Sequence, residues 1–321
     1  MNPGSGARLP ILAVVGPTAS GKTSLALALA ERLNTEIVSA DSMQFYRGMA
    51  IGTAAPSPAE LAQVRHHFVG FLDPSMEMAA GEYERRARAI VAELNARGKT
   101  AVVVGGSGLY VSALLDGLFP GPARHPEIRE QLKAEAAERG NAHLYARLQA
   151  VDPVYAASLT SENDLIRIVR ALEVYEVTGT PFSALHREHQ AQAEPIEAVQ
   201  VALDWDRELL YARINRRVDA MVAAGWAEEV RELIAAGYER HIHRLKALGF
   251  REMAAHLHGR QSLEEAVEAT QQHHRRYAKR QLTWFRADKR LHWLPAGPQT
   301  DSKALAEAVL RQRCEMRDSS R

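Results

Sequence analysis

Five apolar residues in a row, Ile11-Leu12-Ala13-Val14-Val15, open the hydrophobic pattern of the chain. A short β-branched run of this kind suits a strand buried on both faces. It runs into Gly16-Pro17-Thr18-Ala19-Ser20-Gly21-Lys22-Thr23, after which residues 25–33, rich in Ala and Leu, predict a helix. Further short strands are predicted at 35–40, 100–104 and 199–204. Helical periodicity takes over at 79–97, where Tyr83, Ala87, Ile90, Val91 and Leu94 share a face. It returns at 207–223, with a stripe of Leu210, Ile214, Val218 and Met221, and again at 267–286. The Pro/Gly-rich stretch 118–126 breaks this alternation, and beyond it, as far as residue 185, only helical patterns occur, at 127–139, 141–150 and 162–178. The pattern predicts an α/β protein: a P-loop NTPase-like parallel sheet flanked by helices, built from 1–117 and 186–321, with 118–185 as an inserted all-helical domain.

The glycine loop carries the first chemistry. Strand, Gly-x-x-x-x-Gly-Lys-Thr and helix, in that order, form the setting of a P-loop, the motif usually read as ATP-binding. Its backbone N–H groups and the helix N-terminus make an anion nest. Lys22 adds a full charge, and Thr23 offers a hydroxyl to a magnesium ion. The loop calls for a di- or triphosphate without saying which. The 321 residues are 46% hydrophobic, enough for a sizeable core. One cysteine, Cys314, excludes a disulfide framework and a cysteine-rich metal site. The first ten residues hold no apolar signal segment and no stretch is long enough to span a membrane, so a cytoplasmic enzyme is expected. A net charge of +1 is neutral on nucleic acid, so the distribution of charge decides.

That distribution is uneven. Residues 273–290 hold seven Lys/Arg against one Asp, with Arg275, Lys279, Thr283 and Arg286 on one helical stripe and Arg276 and Arg280 beside it. Tyr277, Gln281, Trp284 and Phe285 fall on another face. Such a stripe beside a cleft favours a nucleic-acid backbone. Asp41 ends the second strand, where ligands of open α/β sheets sit, though an Asp there also caps turns. The strand at 100–104 ends in Gly105-Gly106-Ser107-Gly108, with no Walker B aspartate. Those glycines allow either close ligand approach or tight helix packing. Arg217 lies at the edge of an apolar stripe and needs an anionic partner, a pyrophosphate or a carboxylate, while Arg216 points to the opposite side. Arg167 and Arg170 are either solvated or phosphate-binding. His66-His67 has no carboxylate at useful spacing and reads as structural. These features fit a small-metabolite kinase, or a transferase acting on nucleic acid. A guanine-reading Asn-Lys-x-Asp motif is missing, which disfavours a nucleotide switch.

The segments Gly-Pro-Thr-Ala-Ser-Gly-Lys-Thr at 16–23, Ser-Ala-Asp-Ser-Met-Gln-Phe-Tyr-Arg at 39–47, Ile-Gly-Thr-Ala at 51–54 and Gly-Gly-Ser-Gly-Leu-Tyr at 105–110 resemble the tRNA dimethylallyltransferase family. So do residues 163–174, Leu248-Gly249-Phe250-Arg251-Glu252 and Lys279-Arg280-Gln281-Leu282-Thr283-Trp284-Phe285-Arg286. The likeness runs in register over about 11–295. It departs at Ser107, where Thr is usual, at Phe250 for Tyr, and at Lys246-Ala247-Leu248 for Gln-Ala-Ile. The resemblance implies transfer of a dimethylallyl group from its diphosphate to the N6 amine of adenosine 37 in tRNA. Residues 16–23 would hold the diphosphate, magnesium at Thr23 would assist, and Asp41, Thr23 and Arg217 would be catalytic, Asp41 as general base. It further implies tRNA contacts by Asp41, Ser42, Met43, Gln44, Ser107, Arg129, Ile166, Arg167, Ile168, Val169 and Arg170. Lys246, Ala247, Leu248, Gly249, Phe250 and Arg251 would join them, with all of 279–286. The helical insertion would sit on the anticodon stem-loop, and the enzyme is expected to be a monomer. For the prenyl tail, Met43, Phe45, Tyr46, Met49 and Ile51 are the expected apolar wall.

Overall fold

The computed structural model describes residues 9–318 except 120 and 193. Expectations resting on residues 1–8, Pro120 and the Cys314 side chain lie outside the described residues. The chain divides into two compact units, Met1–Leu115 with Ile196–Arg321, and Asp116–Pro195. The second therefore runs ten residues past the expected boundary at 185, because a helix at 182–192 packs into it.

In chain order the first unit holds β1 (Ile11–Val15), α1 (Lys22–Arg32), β2 (Ile37–Ser39), α2 (Pro58–Gln63), β3 (His66–His67), α3 (Ala80–Ala96), β4 (Val102–Gly105) and α4 (Gly108–Asp116). The second unit is α5 (Pro126–Arg139), α6 (Asn141–Val151), α7 (Pro153–Ser158), α8 (Leu165–Thr178) and α9 (Phe182–Gln192). The first then resumes with β5 (Ala198–Trp205), α10 (Arg207–Ala223), α11 (Trp226–Ala235), α12 (Glu239–Leu245), α13 (Phe250–Leu257), α14 (Leu263–Ala287), β6 (Leu291–Ala296) and α15 (Ser302–Asp318).

Six parallel strands form one sheet in the order β3-β2-β4-β1-β5-β6. β1 is central, and all five of its residues are buried. Ile11, Ala13 and Val15 enter one core with Tyr83 of α3 and Phe250 of α13, while Leu12 and Val14 enter the other with Leu25 and Leu29 of α1 and Val309 of α15. Helices thus cover both faces, as an all-parallel sheet requires. Val15 pairs with Gly105 and Ser39 with Val104, so β1, β2 and β4 end at nearly one level, while β5, which pairs with Val15 at Ala202, runs on to Trp205. That edge carries the P-loop, Asp41 and Gly105–Ser107. Residue patterns had not indicated two edge strands. β3 is two residues long, and β6 contains Pro295, which an edge strand tolerates.

The histidine pair sits on that edge. Its carboxylate partner comes from across the sheet: His67 Nε2 lies 2.7 Å from Glu36 Oε2, and Arg97 reaches Glu36 at 2.9 Å. Among the described residues no group of three potential ligands could hold a metal ion, and no helix is long and apolar enough to cross a membrane.

The helical unit packs Leu132, Leu144, Leu148, Ile168 and Leu172 around its own core. Within it Glu173 is fully buried. Its carboxylate accepts from Arg129 Nε and Nη2 at 2.8 Å, from Arg170 Nη1 at 2.7 Å and from the His125 N–H at 2.8 Å. Burial would raise its pKa, but these bonds outweigh burial and hold it at about 2. A depressed carboxylate stabilises the fold fully above its unfolded value near 4.5 and loses that contribution as pH falls towards 2. Glu173→Gln should cost roughly 3 kcal/mol, the low end for breaking a buried pair, since both arginines keep some water contact. Thermal unfolding of both proteins at stepped pH checks this. The gap should close between about pH 4.5 and 2, and parallel profiles would contradict it.

Candidate active site

The P-loop keeps its shape through three left-handed residues, Gly16, Ala19 and Gly21, with φ of 126°, 62° and 94°. Gly21 is the N-cap of α1 and no side chain caps that end, so the first amides are open to an anion. This is why the helix starts at Lys22, three residues before the apolar run indicated. Neighbouring elements brace the loop from outside. Trp205 Nε1 donates to Ser20 O at 2.8 Å and Arg213 Nε to Ala19 O at 2.9 Å. Gln281 of α14 accepts from the Thr18 N–H and donates to Gly106 O, both at 2.9 Å. That second bond also decides the role of the glycines after β4. A Cβ on Gly106 would lie 2.2 Å from Gln281 Nε2, and one on Gly105 would lie 2.2 Å from Ala40 O. They serve packing against chain, and ligand approach is not needed to explain them.

Positive charge collects around this loop. Lys22, Arg213, Arg216 and Arg217 line a cavity of about 470 Å³ together with Gly21, Thr23, Ala54, Pro56 and Glu60. Arg216, expected on the far side of its helix, reaches the same cavity mouth. Lys22 Nζ donates to Pro17 O at 3.3 Å. Arg217 donates to Thr18 Oγ1 at 3.3 Å and to Ala54 O at 3.4 Å. These acceptors are neutral, and among the described residues none of the four cations forms an ion pair. The Glu60 carboxylate is engaged in the capping box of α2. Burial lowers Lys22 to about 8, with Asp41 opposing the shift and Arg217 adding to it. Burial likewise lowers Arg217, again against the pull of Asp41. Of the two partners Arg217 needed on sequence grounds, no carboxylate bonds to it, which leaves an anionic ligand.

A second cavity, of about 220 Å³, adjoins the first through Lys22, Thr23 and Arg217. Asp41, Ser42, Met43, Gln44, Lys246, Ala247 and Leu248 line it, with Met221 of α10 and His274, Tyr277, Arg280 and Gln281 of α14. Asp41 takes both roles left open by sequence: Oδ1 caps its turn, accepting from the Met43 N–H at 3.2 Å, and the carboxylate lines the cavity. Ser107 Oγ accepts from the Ser42 N–H at 3.1 Å, tying β4 to this turn. Burial and the Asp41 charge push Tyr277 up to about 12. Glu229 of α11 grips the opposite wall, accepting from the Ile51 and Gly52 N–H groups at 2.7 and 2.9 Å. The Thr23 hydroxyl and Asp41 carboxylate share a narrow cleft with Lys22. Two hard oxygen donors beside a phosphate site suit Mg²⁺, which takes phosphate and water oxygens for its remaining positions.

Several expected contacts have other duties. Ile168 and Val169 lie in the helical core, and Phe250 and Phe285 in the main core. Gly249 faces Trp226, which a Cβ would meet at 2.2 Å. Gln281 is buried as the loop brace, Leu282 packs on a small cluster with Ala278, and Arg129 and Arg170 are committed to Glu173. Phe45, Tyr46 and Met49 are core residues and Ile51 packs against that core, so of the expected tail wall only Met43 lines the cavity. Ile166, Arg167, Lys246, Arg251, Lys279, Arg280, Thr283, Trp284 and Arg286 are exposed. Arg286 lies 3.7 Å from Asp204 and over the Trp293 ring, and Arg275 donates to Asn215. Sequence reasoning missed Arg213 and His274. Arg213 had a signal, since it precedes Arg217 by one helical turn.

Fold and site together define a P-loop protein whose anion-binding loop opens into a pocket of mixed polar and apolar lining. Residues 44–288 match the family model described as IPP transferase, and the chain belongs to that family. A tRNA dimethylallyltransferase of Geobacter sulfurreducens is 45% identical over 298 residues, 93% of this chain and 96% of that protein. The solved full-length tRNA isopentenylpyrophosphate transferase of Bacillus halodurans is 36% identical with a TM-score of 0.70, over 97% of this chain and 98% of that one. That of Staphylococcus epidermidis is 34% identical with a TM-score of 0.68, over 96% and 100%.

The lowered Lys22 pKa gives the phosphate site a pH signature. Lys22 must be charged to hold an anion, so affinity for inorganic pyrophosphate should be full below about pH 8 and weaken above it. Titration calorimetry across pH 6.5–9.5 on wild type and Lys22→Met separates this break from the ionisation of pyrophosphate itself. An identical profile in the variant would assign the break elsewhere.

Proposed function

We propose that the protein transfers a dimethylallyl group from dimethylallyl diphosphate to the N6 amine of adenosine 37 in tRNA, releasing diphosphate. One observation carries this reading: a cluster of cations that form no ion pair among the described residues adjoins a small pocket lined by a carboxylate and by Met43, Met221, Ala247 and Leu248. The names borne by the relatives point the same way.

The chemistry follows from the groups present. Lys22, the open amides of residues 21–23 and Arg217 hold the diphosphate, with Arg213 and Arg216 at its outer edge. As the allylic C1–O bond breaks, charge grows on the leaving diphosphate, and these preorganised donors stabilise it. A magnesium ion would be held by the Thr23 hydroxyl with Asp41 and would supply further positive charge there. The adenine amine is a weak nucleophile because its lone pair is delocalised into the ring. Asp41 accepts a hydrogen bond from N6 and takes its proton as the N6–C1 bond forms. Met43, Met221, Ala247 and Leu248 enclose the tail and keep water from the electrophilic carbon. The base reaches this pocket only when splayed from the anticodon loop. Lys279, Thr283 and Trp284 on the outer face of α14, with Arg280 at the cavity and Lys246 and Arg251, meet the RNA there. Ile166 and Arg167 extend the contact along the stem-loop. The enzyme works as a cytoplasmic monomer.

Asp41→Asn should lower turnover roughly 10²–10⁴-fold while leaving affinity for dimethylallyl diphosphate near that of wild type. The assay follows label from the prenyl donor into tRNA with magnesium and no ATP, beside γ-labelled ATP with candidate acceptors. Phosphate transfer without prenyl transfer would replace this reading with a kinase. Lys279→Ala should weaken tRNA binding and reduce its log–log salt slope by about one unit at most, with donor affinity unchanged. An unaltered slope would make the outer face of α14 merely solvated.

A further inference from the structure

The segment Ile51-Gly52-Thr53-Ala54 has no part in the chemistry above. It folds as a single turn of helix. The Ala55 N–H donates to Ala50 O and the Ala54 N–H to Ile51 O, both at 2.9 Å, the pair of bonds that closes a helix C-terminus. Ala54 takes the left-handed position of that closure, with φ of 47°, which a residue with a Cβ adopts only under constraint. One isolated turn does not hold itself, because fixing its dihedrals outweighs its few hydrogen bonds. Its first N–H groups are orphans besides.

The constraint comes from α11. Glu229 accepts from the Ile51 N–H with one carboxylate oxygen, at 2.7 Å, and from the Gly52 N–H with the other, at 2.9 Å. Burial raises its pKa, and the amides of Gly52, Ile51 and Ala50 pull against that rise. One helical turn earlier, Trp226 packs against Gly52, where a Cβ would lie 2.2 Å from Trp226 Nε1. The turn is thus capped by one side chain of α11 and pressed by another.

What the turn carries is a wall of the site. Gly52 and Thr53 line the smaller cavity, and Ala54, Ala55 and Pro56 the larger; Glu229 lines neither. Ala54 O accepts from Arg217 Nη2 at 3.4 Å and from Gln44 Nε2 at 3.1 Å. Thr18 Oγ1 accepts from Arg217 Nη1 at 3.3 Å. The guanidinium therefore spans the P-loop and this turn, and the place of Ala54 O sets its orientation.

We infer that Glu229 is a positioning residue for the diphosphate site: it caps the 50–54 turn, the turn places Ala54 O, and Ala54 O orients Arg217 towards the anion. The inference rests on the diphosphate-holding role of Arg217 in the prenyl-transfer reading. Glu229 itself touches no reacting atom. Two N–H donors face it, and an ionised carboxylate has an acceptor for each. A glutamine of the same shape offers oxygen to one and NH₂ to the other, setting donor against donor. A guanidinium held in advance need not reorient as charge grows on the leaving group.

The test is a double-mutant cycle of Glu229→Gln and Arg217→Met, read as affinity for inorganic pyrophosphate by titration calorimetry. Glu229→Gln alone should weaken binding about tenfold, and in the Arg217→Met background it should weaken binding no further. A residue that merely stabilises the fold would give the same loss in both backgrounds. That result, or unchanged affinity in the single variant, would overturn the inference. A second arm needs only wild type. Turn and anion are coupled through Arg217, so saturating pyrophosphate should slow hydrogen exchange of the Ile51 and Gly52 amides severalfold, read by mass on peptides spanning 49–55. Unchanged exchange would equally count against the inference, whether or not a variant folds. Prenyl transfer to tRNA by wild type is assayed alongside. Wild type that binds pyrophosphate and transfers no prenyl group would overturn the prenyl-transfer reading and leave the role of Glu229 to the cycle. Wild type that binds no pyrophosphate would overturn both.

Discussion

Unbalanced positive charge at the P-loop is the constraint on which the rest of the site depends. Lys22 and Arg217 lie largely out of water, and among the described residues the groups that bond them are neutral oxygens of Pro17, Thr18 and Ala54. Those bonds satisfy N–H donors and hold the cations in place, but they leave the charge standing. Asp41 offsets part of it through space. The arrangement is thus organised before a ligand arrives, and a diphosphate completes the electrostatics. Preorganisation of this kind lowers a barrier because the dipoles need not reorient as charge develops.

Holding that arrangement falls to α14. Its 25 residues start in a capping box at Ser262, and its buried side threads Thr270, His274, Ala278, Gln281 and Phe285 through the core. Gln281 stitches the P-loop to the turn after β4, and Tyr277 and His274 continue the same side into the cavity. Lys279, Thr283 and Trp284 are exposed on the other side, and Arg280, also exposed, reaches the cavity mouth. One helix therefore addresses a buried small-molecule pocket on one face and carries a basic surface on the other. The 3.6-residue period alone separates the two.

The helical unit has its own version of the charge problem and solves it internally. Glu173 is a buried anion, and Arg129, Arg170 and the His125 amide neutralise it within the unit. Arg129 and Arg170 are thereby structural, and of residues 166–170 only Ile166 and Arg167 are exposed. Unlike the P-loop cations, these charges are matched, and no ligand is required to balance them.

The local signals in the sequence were those with short range and rigid spacing. The buried run 11–15, the Gly-x-x-x-x-Gly-Lys-Thr loop, helix 207–223 and the basic stripe at 273–290 could each be read from neighbours within a turn or two, because backbone sterics and periodicity act over that distance. Tertiary structure decided what pairs with what across the chain. It supplied Glu36 to His67 and withheld a carboxylate from Arg217. It buried Phe45, Tyr46 and Met49 in the core instead of the cleft, and brought Met221 and His274 to the cavity wall. Those outcomes depend on which strands adjoin and how two helices cross, and contacts between residues from 31 to 263 positions apart leave no periodic trace in one sequence. The sequence by itself determined the phosphate loop and the alternation of strand and helix. Only the folded sheet, by bringing the ends of β1, β2 and β4 side by side, decided that loop, acid and cations would meet in one pocket.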